Sequence, residues 1–362
     1  MKVNGQHFRT IELASDAWRV NIIDQTRLPH SLDIVTLDCV GDAAHAIRDM
    51  QVRGAPLIGA TAAYGLALAM HSDPSDAYLD SSIRMLKDTR PTAVNLHNEL
   101  ARMGNALRRE IPEARRDAAY RYAAEVCASD ADNNREIGEH GLGVLRNLAS
   151  QHPNRALNIM THCNAGALAT VDWGTALAPV YVAKEAGIHC HVWVSETRPR
   201  NQGAHLTAWE LKQMGVDHTL VVDNACGHLM QSGQVDICIV GTDRTNLNGD
   251  VCNKIGTYLK ALAANASAVP FYVALPGSTL DTNASHSADF PIEFRDASEV
   301  TDVIGKNDRS DLHSVRITPD NTPACNPAFD VTPAALISGL ITERGICAAS
   351  RPALLALYPE YS

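Results

Sequence analysis

In the run Leu157-Asn158-Ile159-Met160-Thr161-His162-Cys163-Asn164-Ala165-Gly166 a cysteine stands where an apolar stretch breaks into small residues. In Val235-Asp236-Ile237-Cys238-Ile239-Val240-Gly241-Thr242-Asp243-Arg244 an aspartate stands at the same point. Two such strands, parallel and adjacent, would bring thiol and carboxyl to one crevice at the carboxyl edge of a sheet, where open α/β sheets bind ligands. The pair suits proton chemistry on a small molecule. A helix N-terminus after the strand would lower the pKa of Cys163. An apolar crevice would raise that of Asp243 and keep it protonated as a general acid. The plainer alternatives are a buried, inert cysteine and a carboxylate that caps a helix or pairs with Arg244. By strand alternation His162 points away from the thiol.

Other residues could hold an anion. Arg53-Gly54-Ala55-Pro56-Leu57-Ile58-Gly59-Ala60 reads as a loop entering a helix, with proline in the first turn and small residues permitting close backbone approach. Its unpaired N–H groups and the Arg53 guanidinium would cradle a phosphate, unless the segment is only a tightly packed small-residue helix. Arg90 precedes a proline and an apolar helix, again near a helix start. Gln202, in the loop after the run His191–Val194, belongs to the same carboxyl edge and could bond sugar hydroxyls. Asn253-Lys254 leads into Ile255-Gly256-Thr257-Tyr258-Leu259 and reads as early helix, where a lysine opposes the helix dipole unless an anion lies between.

These residues need a scaffold, and two regimes are visible. The first part opens with strand-like pieces, Phe8 to Leu13 and Trp18 to Asp24, and then turns Ala- and Leu-rich with helical periodicity. From Leu157, apolar runs alternate with helical stretches: Leu157 to Met160, His191 to Val194, Thr219 to Val222, Ile237 to Val240 and Pro270 to Leu275. That alternation marks a parallel, doubly wound sheet. The expected division is a mainly helical N-terminal domain with a small sheet over 1–128 and a parallel-sheet domain over 129–362. The polar run Ser129 to Arg135 would cap or precede a connecting helix, and a final helix is expected near Thr332 to Arg344.

Composition narrows the function. The 362 residues are 45% hydrophobic and 20% charged, with a net charge of −10, which argues against a nucleic-acid or anionic-membrane surface. An anionic substrate therefore needs a local basic pocket. The first residues lack the apolar core of a signal peptide and no run is long enough to span a bilayer, so a cytoplasmic protein is expected. Nine cysteines without a repeated C-x-x-C imply neither a disulfide framework nor a zinc ribbon. Gly141-Leu142-Gly143 lacks the third glycine of a dinucleotide fingerprint, and His189-Cys190-His191 alternates faces in a strand, so no cofactor and no metal is expected.

Together these stretches resemble the S-methyl-5-thioribose-1-phosphate isomerases of methionine salvage, which share ancestry with regulatory subunits of the eukaryotic initiation-factor exchange complex. The matching motifs run from Asp24-Gln25 through Arg53-Gly54-Ala55-Pro56, Arg90-Pro91-Thr92-Ala93-Val94-Asn95-Leu96, Thr161-His162-Cys163-Asn164, Glu196-Thr197-Arg198-Pro199, Asp243-Arg244, Asn248-Gly249-Asp250-Val251 and Asn253-Lys254-Ile255-Gly256-Thr257 to Phe329-Asp330-Val331-Thr332-Pro333. The resemblance implies a Rossmann-like C-terminal domain without a dinucleotide, a homodimer, and an aldose-to-ketose isomerisation of a phosphorylated sugar. It implies that Asp243 is the proton donor and Cys163 the second catalytic group, with Arg53, Gly54, Ala55, Arg90, Gln202, Asn253 and Lys254 holding substrate. Cys226, Thr242, Gly277 and Phe294 depart from the usual pattern, and Thr242 beside Asp243 could shift that carboxyl's hydrogen bonding. Isomerases of 5-deoxyribose 1-phosphate or ribose 1,5-bisphosphate, and a non-catalytic nucleotide-sensing subunit, are the alternatives the same fold offers.

Overall fold

Short segments rich in β-branched residues pair locally, and the chain begins this way. The computed structural model, which describes residues 1–90, 93–307 and 311–362, opens with a ribbon of β1 (Lys2–Val3) and β2 (Gln6–His7). An antiparallel sheet follows, β3 (Ile11–Leu13), β4 (Val20–Ile23) and β5 (Ile34–Leu37), in that order. Then come five helices, α1 (Val40–Arg48), α2 (Ala55–Ser72), α3 (Asp76–Lys87), α4 (Val94–Leu107) and the 40-residue α5 (Pro112–Gln151). Because α2 is apolar on every side it takes the centre of this half. Every residue from Leu57 to Met70 is buried, with α1, α3, α4 and α5 packed around it.

The run Ser129 to Arg135 neither caps nor precedes a helix; it lies within α5. Ser129, Asp132 and Arg135 recur on the exposed face, while Ala131 and Asn134 are buried, so a polar stretch of helical period reads as a loop when only its composition is weighed. The same helix packs on α2 and, further along, on α6 (Ala178–Glu185), where Gly138 and Gly141 admit Val182 and Pro179.

Strands and helices then alternate as expected except after β9, where two further strands of a separate sheet follow: β6 (Leu157–Thr161), β7 (Cys190–Ser195), α7 (Ala208–Gln213), β8 (Asp217–Val221), α8 (Ala225–Gln231), β9 (Ile237–Val240), β10 (Arg244–Asn246), β11 (Val251–Lys254), α9 (Thr257–Ala266) and β12 (Phe271–Ala274). After β13 (Leu280–Asp281) and the short α10 (Ser298–Thr301), β14 (Asp302–Lys306) and β15 (Leu312–Arg316) form a ribbon. The chain ends with β16 (Phe329–Thr332), β17 (Gly339–Thr342), β18 (Gly345–Cys347) and α11 (Arg351–Leu357). The large sheet has the order β18-β17-β12-β9-β6-β7-β8, parallel except for β18. Ile159, Val192, Ile237, Ile239 and Ile341 face one apolar layer, and Met160, Cys238, Val240, Val273 and Leu340 face the other, as a sheet covered on both sides requires.

Two expectations are corrected. The segment Thr332 to Arg344 is not a helix: it holds the end of β16, a single 3-10 turn and β17, whose Leu340 and Ile341 are fully buried beside β12. The Ala-Ala-Leu stretch favours helix locally, but burying Leu340 and Ile341 on opposite faces of the sheet overrides it. Lys254 is not early in a helix either. It ends β11, paired with β16 at Phe329, and Gly256 at φ +98° turns the chain before α9 begins. Among the described residues no helix is long and apolar enough to cross a membrane.

Candidate active site

The pairing of β6 with β9, Ile159 opposite Ile237 and Met160 opposite Cys238, puts the two strand ends side by side. Cys163 and Asp243 follow those ends and line one cleft together with Arg53, Gly54, Ala55, Arg90, Gln202 and Lys254. Asn253 lines the adjoining recess, which also contains Cys163 and Asp243. All nine residues singled out in the sequence thus come together where the N-terminal helices meet the carboxyl edge of the large sheet. In the motif around Arg90, Pro91 and Thr92 lie outside the described residues. A roomier hollow on the other flank of α2, lined by Asn95, Glu99, Tyr122 and Glu343, contains neither the thiol nor Asp243.

The cationic wall is built first. Gly54 is the residue before α2 and has φ +93°, and a Cβ there would sit 2.3 Å from the Ala169 carbonyl oxygen. Only glycine lets the start of α2 meet the loop after β6 so closely. Arg53 is fixed by bonds to Asn164, donating to its Oδ1 at 2.6 Å and to its carbonyl at 2.8 Å. Arg90 reaches Glu293 at 3.2 Å, leaving its buried Nε without a partner. Lys254 lies with its ammonium 4.6 Å from the centre of the Phe329 ring. Burial lowers its pKa, Cys163 and Asp243 oppose that effect, and Arg53 and Arg90 add to it. Arg53, Arg90 and Lys254 thus crowd one cleft of an acidic chain with Arg244 also on its lining, an arrangement that an anion between them relieves.

The thiol is held differently from expectation. No helix N-terminus follows Cys163 directly; the next element is a single 3-10 turn, Ala167–Ala169, so its charged neighbour is Lys254. Cys163 is buried and adopts φ +63°. Its N–H donates to Thr197 Oγ1 at 2.8 Å and its carbonyl accepts from Thr207 Oγ1 at 2.7 Å. Glu210, fully buried, gathers the N–H groups of Ala167 and Leu168 and the Tyr181 hydroxyl, which fixes the loop after Cys163. His162 is absent from the cleft that holds Arg90 and Lys254 but lines the adjoining recess with Cys163 and Asp243: Nε2 donates to the Ile255 carbonyl at 2.8 Å, and burial drives its pKa down to about 3, so the ring is neutral.

Asp243 is anchored by its N–H, which donates to the Cys252 carbonyl at 3.1 Å. Arg244 pairs with Asp281 at 3.0 Å. The Thr242 hydroxyl lies 2.8 Å from the Arg244 carbonyl and 3.0 Å from that of Cys252, and it accepts from the Arg244 N–H at 3.0 Å and the Thr245 hydroxyl at 3.2 Å. Gln202 is buried with Oε1 lacking a partner, an acceptor available to a hydroxyl in the cleft. Sequence reasoning placed Thr197 at the carboxyl edge as part of a motif without giving it a role, and did not single out Thr207, Glu210 or Asp223. Asp223 was the most accessible of them, since it too follows the end of an apolar run, Thr219 to Val222.

Fold and cleft define an α/β protein with a cation-lined cleft at the carboxyl edge of a doubly wound sheet. The profile of the Initiation factor 2 subunit family matches residues 51–349, and the chain belongs to that family. It is 59% identical to the methylthioribose-1-phosphate isomerase of Brucella anthropi, with 100% of each chain covered, and 59% identical to that of Rhizobium meliloti, with 99% and 100% covered. Among solved structures it is similar to 5-methylthioribose 1-phosphate isomerase from Pyrococcus horikoshii OT3, with TM-score 0.84, 36% identity and coverage of 98% and 97%. It is also similar to the structure described as translation initiation factor eIF-2B, subunit delta, from A. fulgidus, with TM-score 0.80, 37% identity and coverage of 98% and 100%.

Proposed function

We propose that this chain is an aldose–ketose isomerase that converts S-methyl-5-thioribose 1-phosphate into the corresponding ribulose 1-phosphate. The observation that carries the reading is the meeting of Cys163 and Asp243 with Arg53, Arg90 and Lys254 in one cleft, in a chain 59% identical over its full length to relatives bearing that activity's name. Arg53, Gly54, Ala55, Arg90 and Lys254 hold the phosphate, and Gln202 and Asn253 the sugar.

The anomeric oxygen carries the phosphate, so a free aldehyde is not available and the ring must open with the phosphate attached. Asp243 protonates the ring oxygen as the C1–O4 bond breaks, which leaves a C4 hydroxyl. The C2 hydrogen then moves to C1. Either the Cys163 thiolate removes it as a proton and returns it through a phosphoenolate, or it shifts as a hydride to an oxocarbenium C1 that Cys163 stabilises. The C2 hydroxyl proton returns to the Asp243 carboxylate, giving the ketone. Solvent deuterium at C1 of the product marks the proton route.

The test is direct assay of the purified protein with methylthioribose 1-phosphate, 5-deoxyribose 1-phosphate and ribose 1,5-bisphosphate, comparing kcat/KM. The first is expected to be preferred, and Cys163→Ala should abolish turnover while substrate still binds. Undiminished turnover by Cys163→Ala sinks the role given to the thiol. A protein inactive on all three sugars that binds a nucleotide tightly would instead fit a regulatory subunit. We also place the protein in the cytoplasm as a homodimer. Its nine unpaired cysteines suit a reducing compartment. Apolar side chains exposed on edge strand β8 (Leu220) and on α9 (Leu259, Leu262) suit a partner surface.

A further inference from the structure

Two residues beside the cleft are held in a backbone conformation that side chains disfavour. Cys163 has φ +63° and Thr197 has φ +67°, and the second is β-branched, for which the left-handed region is a genuine outlier. Such conformations are costly and persist only where the surroundings determine them. Here each residue is tied to the other, since the Cys163 N–H donates to Thr197 Oγ1 at 2.8 Å.

The ties continue outward on both sides. The Asp223 carboxylate, beyond the end of β8, accepts the Thr197 N–H at 2.8 Å and the Arg198 N–H at 2.7 Å, and also the Ser195 hydroxyl. Lys260, almost wholly buried, stands 3.9 Å from the same carboxylate and balances its charge. On the far side of the thiol, Thr207 donates to the Cys163 carbonyl and in turn lies 3.2 Å from the Asn164 amide. Both backbone polar groups of Cys163 are therefore held by threonine hydroxyls, and that side chain is the one the proposed mechanism uses.

We infer that Thr197 and Thr207 are positioning residues that clamp Cys163 in its left-handed conformation and so aim the thiol into the cleft, with Asp223 holding Thr197 in place. The inference rests on the catalytic reading of Cys163. A thiol released from the clamp explores more orientations, so it turns over less often and meets external reagents more often. Those two effects have opposite signs, which a general loss of structure does not produce at intact fold.

The experiment compares Thr197→Val, which keeps shape but loses the acceptor, with Thr197→Ser, which keeps the acceptor. For Thr197→Val we expect kcat to fall about tenfold with KM within about twofold, as the loss of one well-placed hydrogen bond acting on orientation implies. Alkylation of Cys163 by iodoacetamide, followed on its peptide by mass spectrometry, should rise several-fold in the same variant. Thr197→Ser should restore both to near wild type, and Thr207→Val should reproduce the Thr197→Val pattern. Unchanged kcat in Thr197→Val, equal impairment of the Ser and Val variants, or a rise in KM alone would overturn the clamp. If Cys163→Ala proves active, the catalytic reading fails by itself, and the alkylation contrast between Val and Ser then decides whether the clamp exists.

Discussion

At the scale of single residues, the cleft trades stability for charge. Lys254 is half-buried at a strand end, desolvation there lowers its pKa, and two guanidiniums face it. A buried cation without full compensation destabilises the fold, and removing it is commonly neutral or stabilising. Lys254→Met should therefore melt at a temperature equal to or above that of the wild type, while KM for the phosphorylated sugar rises about tenfold or more, the loss of one charge-assisted contact. Calorimetry and steady-state kinetics on one preparation check both signs. A drop in both stability and affinity would mean that the lysine is part of the scaffold. The positions of such residues were legible in sequence because a polar residue where an apolar run meets small residues falls at a strand end; Cys163 and Asp243 were placed in that way, and Gln202 as part of the loop after a strand. Thr197 was placed at that edge without a role and Thr207 was not placed at all, since a hydroxyl acting on another residue's backbone leaves no mark in spacing.

At the scale of elements, β11, β16 and α9 meet at one carboxylate. Asp330 on β16 accepts the Gly256 N–H at 2.6 Å and the Tyr258 N–H at 3.1 Å, so it ties the start of α9 to the strand that carries Lys254. Burial raises its pKa to about 6, above the ordinary carboxylate value near 4. The folded protein thus binds that proton more tightly than the unfolded chain. The resulting stability is fully present below about pH 4 and is lost as pH rises through about 6. Melting wild type and Asp330→Asn across this range should show the wild type losing ground to the variant as pH rises; parallel curves would refute the assignment. This corner was poorly legible. Arg244-Thr245-Asn246 and Asn253-Lys254 are too short and polar to announce strands, and their partners lie far along the chain. The large sheet was legible because Ile237-Cys238-Ile239-Val240 and its neighbours need cover on both faces.

At the scale of the whole molecule, one prediction concerns assembly. Leu259 is 64% exposed on α9 and Leu220 48% exposed on the last strand of the large sheet, and placing a charge in a shared apolar interface opposes association. Leu259→Asp should shift a dimer toward monomer in light scattering after size exclusion, with the melting temperature then depending on protein concentration. A wild type that is monomeric at micromolar concentration would refute the homodimer. The last consequence belongs to α5. At 40 residues it is roughly 60 Å long, and it lies against α2, which carries one wall of the cleft, and against α6 and β17 of the sheet that carries the other. Both walls thus rest on one continuous helix as well as on the direct bonds of Arg53 to Asn164 between them. A stiffer or kinked α5 would shift α2 against α6 from a distance, without any change in the residues that line the cleft.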